Sequence, residues 1–211
     1  MQNERRLDGS SHAKATLLLA HGAGAGMDSP FMEAITTSLA QRGWRVVRFE
    51  FPYMQRQRST GKKVPPDRAD RLLNHFREEV NEQTGPAPLF IGGKSMGGRV
   101  ASLLADELFH AGRLRGCVCL GYPFHPLGKP DTRRIEHLQG MAAPVLIVQG
   151  ERDAMGRREE VEGYPLAPTI ALAWMPDGDH SLKPRQRSGR TEAMNLDLAA
   201  EFVDHFLRKL L

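Results

Sequence analysis

Apolar residues gather in short runs of strand length, and between the runs they recur every three to four positions. The runs are TLLLA (16–20), RVVRF (45–49), LFIG (89–92), CVCLG (117–121), VLIVQ (145–149) and IALAWM (170–175). Several are apolar on both alternating faces, which suits central strands of a parallel sheet covered on both sides. Helical patterns lie between them. Asp67 is placed to cap a helix that carries Ala69, Leu72, Leu73, Phe76 and Val80 on one stripe. After Ser95, the residues Met96, Val100, Leu103, Leu104 and Leu108 repeat at helical spacing. Met194, Leu198, Phe202, Phe206 and Leu210 fall four apart and predict an amphipathic closing helix. Strands alternating with helices imply βαβ units with right-handed crossovers, hence an α/β fold. The most irregular piece is PYMQRQRSTGKKVPP (52–66), read as a basic loop and a candidate lid or binding loop.

The chain's 211 residues fit one domain spanning 1–211. Its two cysteines, Cys117 and Cys119, sit in one apolar run and are expected on one face of a buried strand as small hydrophobes. ATLLLA is too short for a signal core or a membrane span, so a soluble cytoplasmic protein is expected, with no membrane partner. The net charge of +4 allows an anionic partner without demanding one. No aromatic residues interleave with the basic clusters and no nucleic-acid motif is present, so no nucleic-acid partner is expected. The oligomeric state stays open.

The stretch FIGGKSMGGRVASLLA (90–105) crowds four glycines around Ser95 where a strand becomes a helix. A serine that must project its hydroxyl into a cleft needs a very sharp turn. Such a turn brings the backbone two residues before and after the serine into contact, so only small residues fit there. Gly93 and Gly97 occupy those positions, giving G-x-S-x-G as a nucleophile elbow. The following helix aims its N-terminal N–H groups at the serine region, and Met96 N–H is the natural first donor to an oxyanion.

A serine hydroxyl needs a base, and the base needs an orienting carboxylate. Asp153 follows the run VLIVQG, and His180 follows IALAWM, each just past a strand end. Glu151 competes with Asp153, and Asp179 flanks the turn that carries His180. The second oxyanion donor is expected from HGAGAGMDSP (21–30), with Ala23 first and Gly24 second. His21 at that strand end is expected to shape the loop rather than act as a base. Lys94 raises a Ser–Lys dyad as an alternative, although adjacent residues on such a turn point apart.

The ordered set LLLAHGAGAG, GGKSMGG, QGERD and GDHSL resembles the α/β-hydrolase superfamily over nearly the whole chain. It is similar to small, lidless, dienelactone hydrolase-like members. The pairing HGAGAGMDSP…GGKSMGGR also resembles a predicted bacterial hydrolase group related to the hydrolase-like domain of an animal chromatin-complex subunit. The resemblance implies a three-layer α/β/α sandwich with Ser95 as nucleophile, His180 as base and Asp153 as orienting acid. About fifteen residues precede the first clear strand, so a minimal sheet of six parallel strands is expected, with room for one N-terminal edge strand. Dienelactone hydrolases proper use cysteine, so their substrate does not carry over to a chain with serine. The implied activity is carboxylesterase-like acyl hydrolysis of a small ester-like molecule, with no metal or organic cofactor. The alternative is a binding or scaffold module on the same fold.

Two basic sets follow strand ends: Arg56, Arg58, Lys62 and Lys63, and Lys183, Arg185, Arg187 and Arg190. They are read either as a rim that recruits an anionic substrate or as a solvated face.

Overall fold

The structure, a computed structural model, describes residues 4–211; the first three residues of the expected 1–211 domain lie outside it. Its centre is a seven-stranded sheet. In chain order the strands are β1 (Arg5–Asp8), β2 (Thr16–Ala20), β3 (Arg45–Phe49), β4 (Leu89–Lys94), β5 (Gly116–Leu120), β6 (Val145–Gly150) and β7 (Ile170–Met175). Their spatial order is β1-β3-β2-β4-β5-β6-β7. β1 runs antiparallel to β3 and the other pairings are parallel. The six apolar runs are therefore the six parallel strands, and β1 is the added edge strand.

Alternation along each strand builds two cores. Leu18, Val47, Ile91, Cys117 and Cys119 face one side, where α3 (Ala69–Asn81) and α4 (Met96–His110) pack through Leu72, Phe76, Val100 and Leu104. Leu17, Leu19, Val46, Val118 and Leu120 face the other, against α1 (Pro30–Gln41) and α6 (Glu192–Lys209) through Met32, Ile35, Val203 and Leu207. Both cysteines thus share one buried face as expected. The result is a three-layer sandwich with every central strand covered on both sides.

Three local expectations are corrected. Segment 52–66 is not a loop throughout: Pro52–Thr60 forms a helix, α2. Pro52 stands at its start and Gly61 ends it with φ 66°, so the punctuation of a helix was there without an apolar stripe. Asp67 does not cap α3, whose N-cap is Arg68. Its Oδ1 instead pairs with Arg56 at 2.7 Å and Arg71 at 3.5 Å. On α6 the buried stripe is Leu196, Ala199, Ala200, Val203 and Leu207, whereas Met194 and Phe202 are 47% and 40% exposed. A strict four-residue repeat outruns a period of 3.6 and drifts around the helix, so the series starts on the exposed side at Met194, while Leu198, Phe206 and Leu210 pack against the edge of the core. The short helix α5 (Arg158–Val161) completes the set.

Candidate active site

Three loops meet at the carboxyl edge of the sheet, which is where ligands bind in open α/β sheets. The first is the turn from β4 into α4. Ser95 adopts φ 51° and ψ −114°, outside the ordinary regions for a residue with a side chain. Its N–H is anchored on Leu120 O at 2.9 Å. A Cβ at Gly93 would sit 2.5 Å from the Gly97 carbonyl carbon, and one at Gly97 would sit 2.5 Å from His21 O. The turn closes only because neither residue has a side chain.

The second loop follows β6. Asp153 is fully buried there. Its Oδ1 accepts from Met155 N at 2.8 Å, and its Oδ2 accepts from Gln149 Nε2 at 2.8 Å. Gln149 is itself buried and also donates to Tyr122 O, while its Oε1 accepts from Tyr122 N at 2.7 Å. One amide side chain thus ties the aspartate to the end of β5. The sequence carries one cue to it, a lone polar residue closing the apolar run VLIVQ.

The third loop follows β7 and carries His180. Arg152 N donates to Gly178 O at 2.8 Å, and a Cβ on Gly150 would lie 2.2 Å from Asp179 O. The two loops are packed backbone to backbone. Asp179 Oδ1 accepts from Ser181 N and Lys183 N at 2.8 and 3.0 Å, so this aspartate shapes the turn. Glu151 is occupied elsewhere, accepting from Asp177 N and pairing with Arg158.

His180 joins the other two residues. Its Nδ1 lies 2.7 Å from Asp153 Oδ2, and its Nε2 lies 2.8 Å from Ser95 Oγ. An ionised carboxylate only accepts, so Nδ1 carries the proton and Nε2 is left to accept from the serine hydroxyl. The structure therefore brings Ser95, His180 and Asp153 into one continuous hydrogen-bonded chain.

The loop after β2 passes over this chain. A Cβ on Gly22 would stand 3.7 Å from Ser95 Cβ, and Ala23 and Gly24 beyond it are exposed. His21 is buried beneath. Its Nε2 accepts from Phe51 N at 3.1 Å and its Nδ1 donates to Gly22 O at 2.6 Å. Burial holds its pKa below the ordinary histidine value. It shapes the loop and does not touch the serine. Tyr53, which sequence reasoning missed, donates to Gly22 O at 3.2 Å and to Ala23 O at 3.1 Å. Farther along, Glu50 Oε1 accepts from Met27 N and Arg48 donates to Met27 O at 2.7 Å.

Lys94 makes no dyad with Ser95. It points to the opposite side of the turn and donates to the backbone carbonyl of His180. Burial pushes its pKa down to about 8, against the pull of Asp153 and Asp179.

The basic residues read as a rim or a solvated face are largely ion-paired. Arg56 pairs with Asp67, Arg58 with Asp28 and Glu50, Lys183 with Glu192, and Arg185 with Asp177. Lys62, Lys63 and Arg187 remain exposed.

With this geometry in place, comparison with known proteins is informative. A family profile described as an alpha/beta hydrolase domain matches residues 13–208. The chain belongs to the α/β-hydrolase family. Solved α/β-hydrolase structures resemble it throughout. Est1E from Butyrivibrio proteoclasticus, solved with ferulic acid, is 15% identical, with a TM-score of 0.71 over 98% of this chain and 94% of that one. A dienelactone hydrolase from Anabaena variabilis is 20% identical, with a TM-score of 0.70 over 98% and 91%. XC6422 from Xanthomonas campestris, described as a serine hydrolase without a lid, is 19% identical, with a TM-score of 0.66 over 98% and 88%. At these identities the likeness is one of fold. No helix among the described residues of this hydrolase-family chain is long and apolar enough to cross a membrane.

Proposed function

We propose that the protein is a serine hydrolase acting on ester-like bonds of a small molecule, with Ser95 as nucleophile, His180 as general base and acid, and Asp153 as orienting carboxylate. The observation that carries this reading is the chain of hydrogen bonds from Ser95 Oγ through His180 to buried Asp153, at 2.8 and 2.7 Å.

As Ser95 Oγ attacks the ester carbonyl, its proton passes to His180 Nε2. The imidazolium that forms is stabilised by Asp153. His180 then returns the proton to the leaving alkoxide, and the acyl group stays on Ser95. Water attacks the acyl-enzyme with His180 again as base, releasing the acid. The oxyanion is held by Met96 N–H, at the start of α4, and by Ala23 N–H, with Gly24 N–H as the alternative second donor. Each donor contributes about 3 kcal/mol in comparable chemistry. Tyr53 and His21 support the assignment of Ala23. They hold the Gly22 carbonyl on the buried side, and in a trans peptide the following N–H points the opposite way.

The test is hydrolysis of p-nitrophenyl esters from acetate to octanoate, with Ser95→Ala in parallel and fluorophosphonate labelling of the unmodified protein. Turnover and labelling that both vanish in Ser95→Ala are expected. No turnover above the variant together with no labelling would overturn the hydrolase reading in favour of a binding module.

A further inference from the structure

Most arginines near the carboxyl edge have a carboxylate partner, but Arg99, in the first turn after Ser95, and Arg134, in the segment after β5, do not. Arg99 lies four residues after Ser95, and its N–H bonds to Ser95 O at 3.0 Å, so it occupies the first turn of α4. Ser95, Arg99, Ser102 and Asp106 fall on one face of that helix by spacing. The chain leaving β5 lies over this face: Ser102 Oγ is 2.9 Å from His137 Nε2. Arg134 sits in the same segment. Its N–H donates to Phe124 O at 2.7 Å, and its carbonyl accepts from Tyr122 Oη at 2.9 Å. Tyr122 is in turn clamped by Gln149, the residue that holds Asp153. Arg134 is thus tied through the backbone to the active-site edge.

The two guanidinium groups act on each other. Burial and then the Arg99 charge hold the pKa of Arg134 below the ordinary arginine value, and the Arg99 charge helps burial push His137 down to about 4. Among the described residues, neither side chain has an ion-pair or hydrogen-bond partner, and Arg99 Nε is a buried donor with nothing to bond. Two like charges and an orphaned donor, half-buried together, are unfavourable for the protein alone. A carboxylate offers what is missing. It accepts two parallel N–H bonds from a guanidinium fork and cancels the repulsion between the pair.

We propose that Arg99 and Arg134 form an anion subsite beside Ser95 and select an ester that carries its own carboxylate. This rests on the hydrolase reading above and deepens it. It also moves anion recognition from the ion-paired rim to an unpaired couple of arginines that the sequence pattern does not single out.

The experiment has a kinetic and a binding arm. In the first, kcat/KM is measured for p-nitrophenyl hemisuccinate against p-nitrophenyl pentanoate, and for 4-acetoxybenzoate against phenyl acetate, so that the carboxylate sits on either side of the scissile bond. At least one charged ester is expected to be preferred tenfold or more. That ratio is expected to collapse toward unity in Arg99→Gln and Arg134→Gln, mainly through KM, and to be partly kept in Arg99→Lys. In the second arm, Ser95→Ala protein is titrated with monomethyl succinate and dimethyl succinate by calorimetry. Only the charged ligand is expected to bind, and adding Arg99→Gln or Arg134→Gln is expected to abolish binding. No charge preference in either ester pair, or a preference untouched by the arginine substitutions, overturns the subsite. So does equal binding of the two succinates. Binding of the charged ligand by a protein that neither turns over an ester nor labels with fluorophosphonate would uphold the subsite and sink the hydrolase reading alone.

Discussion

The ammonium group of Lys94 reaches away from its neighbour Ser95 and donates to the backbone carbonyl of His180. One residue of the turn from β4 into α4 therefore holds the loop that carries the histidine, while the next residue presents its hydroxyl to that same histidine. The lysine is almost wholly buried, and its ring contact is with Phe31, 5.1 Å from the ammonium.

That burial has a signed consequence for stability. Lys94 titrates near 8 in the folded chain and near 10.5 when exposed. Between those values the unfolded chain binds more protons, so this group's contribution to stability rises with pH across the window. The gap corresponds to about 3 kcal/mol. Urea unfolding at pH 7.5 and pH 10.5 is expected to show this gain in the unmodified protein relative to Lys94→Met, whose own change over the same window is smaller.

Gln149 is expected to act on catalysis without touching substrate. Gln149→Met removes one hydrogen bond to the Asp153 carboxylate and leaves Tyr122 N unpaired, while Tyr122 O keeps its bond from Phe124 N. A bond to a charged group is worth about 1.5–3 kcal/mol. A fall in kcat of roughly ten- to a hundredfold follows from that range, with KM nearly unchanged. Steady-state kinetics on a neutral ester, beside a thermal melt, separate this from simple loss of folding.

Tyr53→Phe keeps the ring and deletes the two bonds to Gly22 O and Ala23 O. The loop after β2, the proposed source of the second oxyanion donor, loses its hold while His21 still anchors one end. Activity is expected to drop about tenfold, on the order of one neutral hydrogen bond in the transition state. A drop in KM-independent turnover, measured as acylation rate in a stopped-flow burst, is the readout. An unchanged burst would remove the loop from the mechanism.

Acid should weaken the fold through two histidines, His21 buried and His137 half-buried. His21 and His137 are both held neutral, His137 down to about 4, with burial as the leading cause. In the unfolded chain they protonate near 6.5. From pH 6.5 down to 4 the unfolded chain gains protons that the folded chain refuses, so stability falls as pH falls. Melting temperatures over that range are expected to decline, and less steeply in His137→Gln.

Much of this was legible in the chain. Each parallel strand is a dense apolar run that must be covered on both faces, and Gly93, Ser95 and Gly97 encode a contact that excludes side chains. Asp153 and His180 each stand just past a strand end, which singles them out in the sequence, and the structure joins both to Ser95 by hydrogen bonds. What escaped depends on partners distant in sequence. Gln149 matters through Tyr122, and Lys94 through a carbonyl in another loop. Arg99 matters through a second arginine in the segment after β5. Helix α2 was hidden because its residues are nearly all polar, and its only cues are Pro52 and Gly61. The closing helix α6 was legible, but its series of four names the core stripe only in part: Leu198, Phe206 and Leu210 reach the core, while Met194 and Phe202 stay exposed because a spacing of four drifts around a helix of period 3.6.

The two hydrogen bonds of His180 close sequence separations of very different size: 27 residues to Asp153 and 85 to Ser95. The shorter one joins neighbouring strands β6 and β7, while the longer one spans the sheet from β4 across β5 and β6. A half-built sheet can hold the acid and the histidine together, but the serine meets them only when all four strands are in register. Contacts so distant along the chain are slow to form. During refolding, the appearance of the Ser95–His180 contact would therefore time the joining of the two halves of the molecule, making the proposed nucleophile a clock for assembly as well as a tool for chemistry.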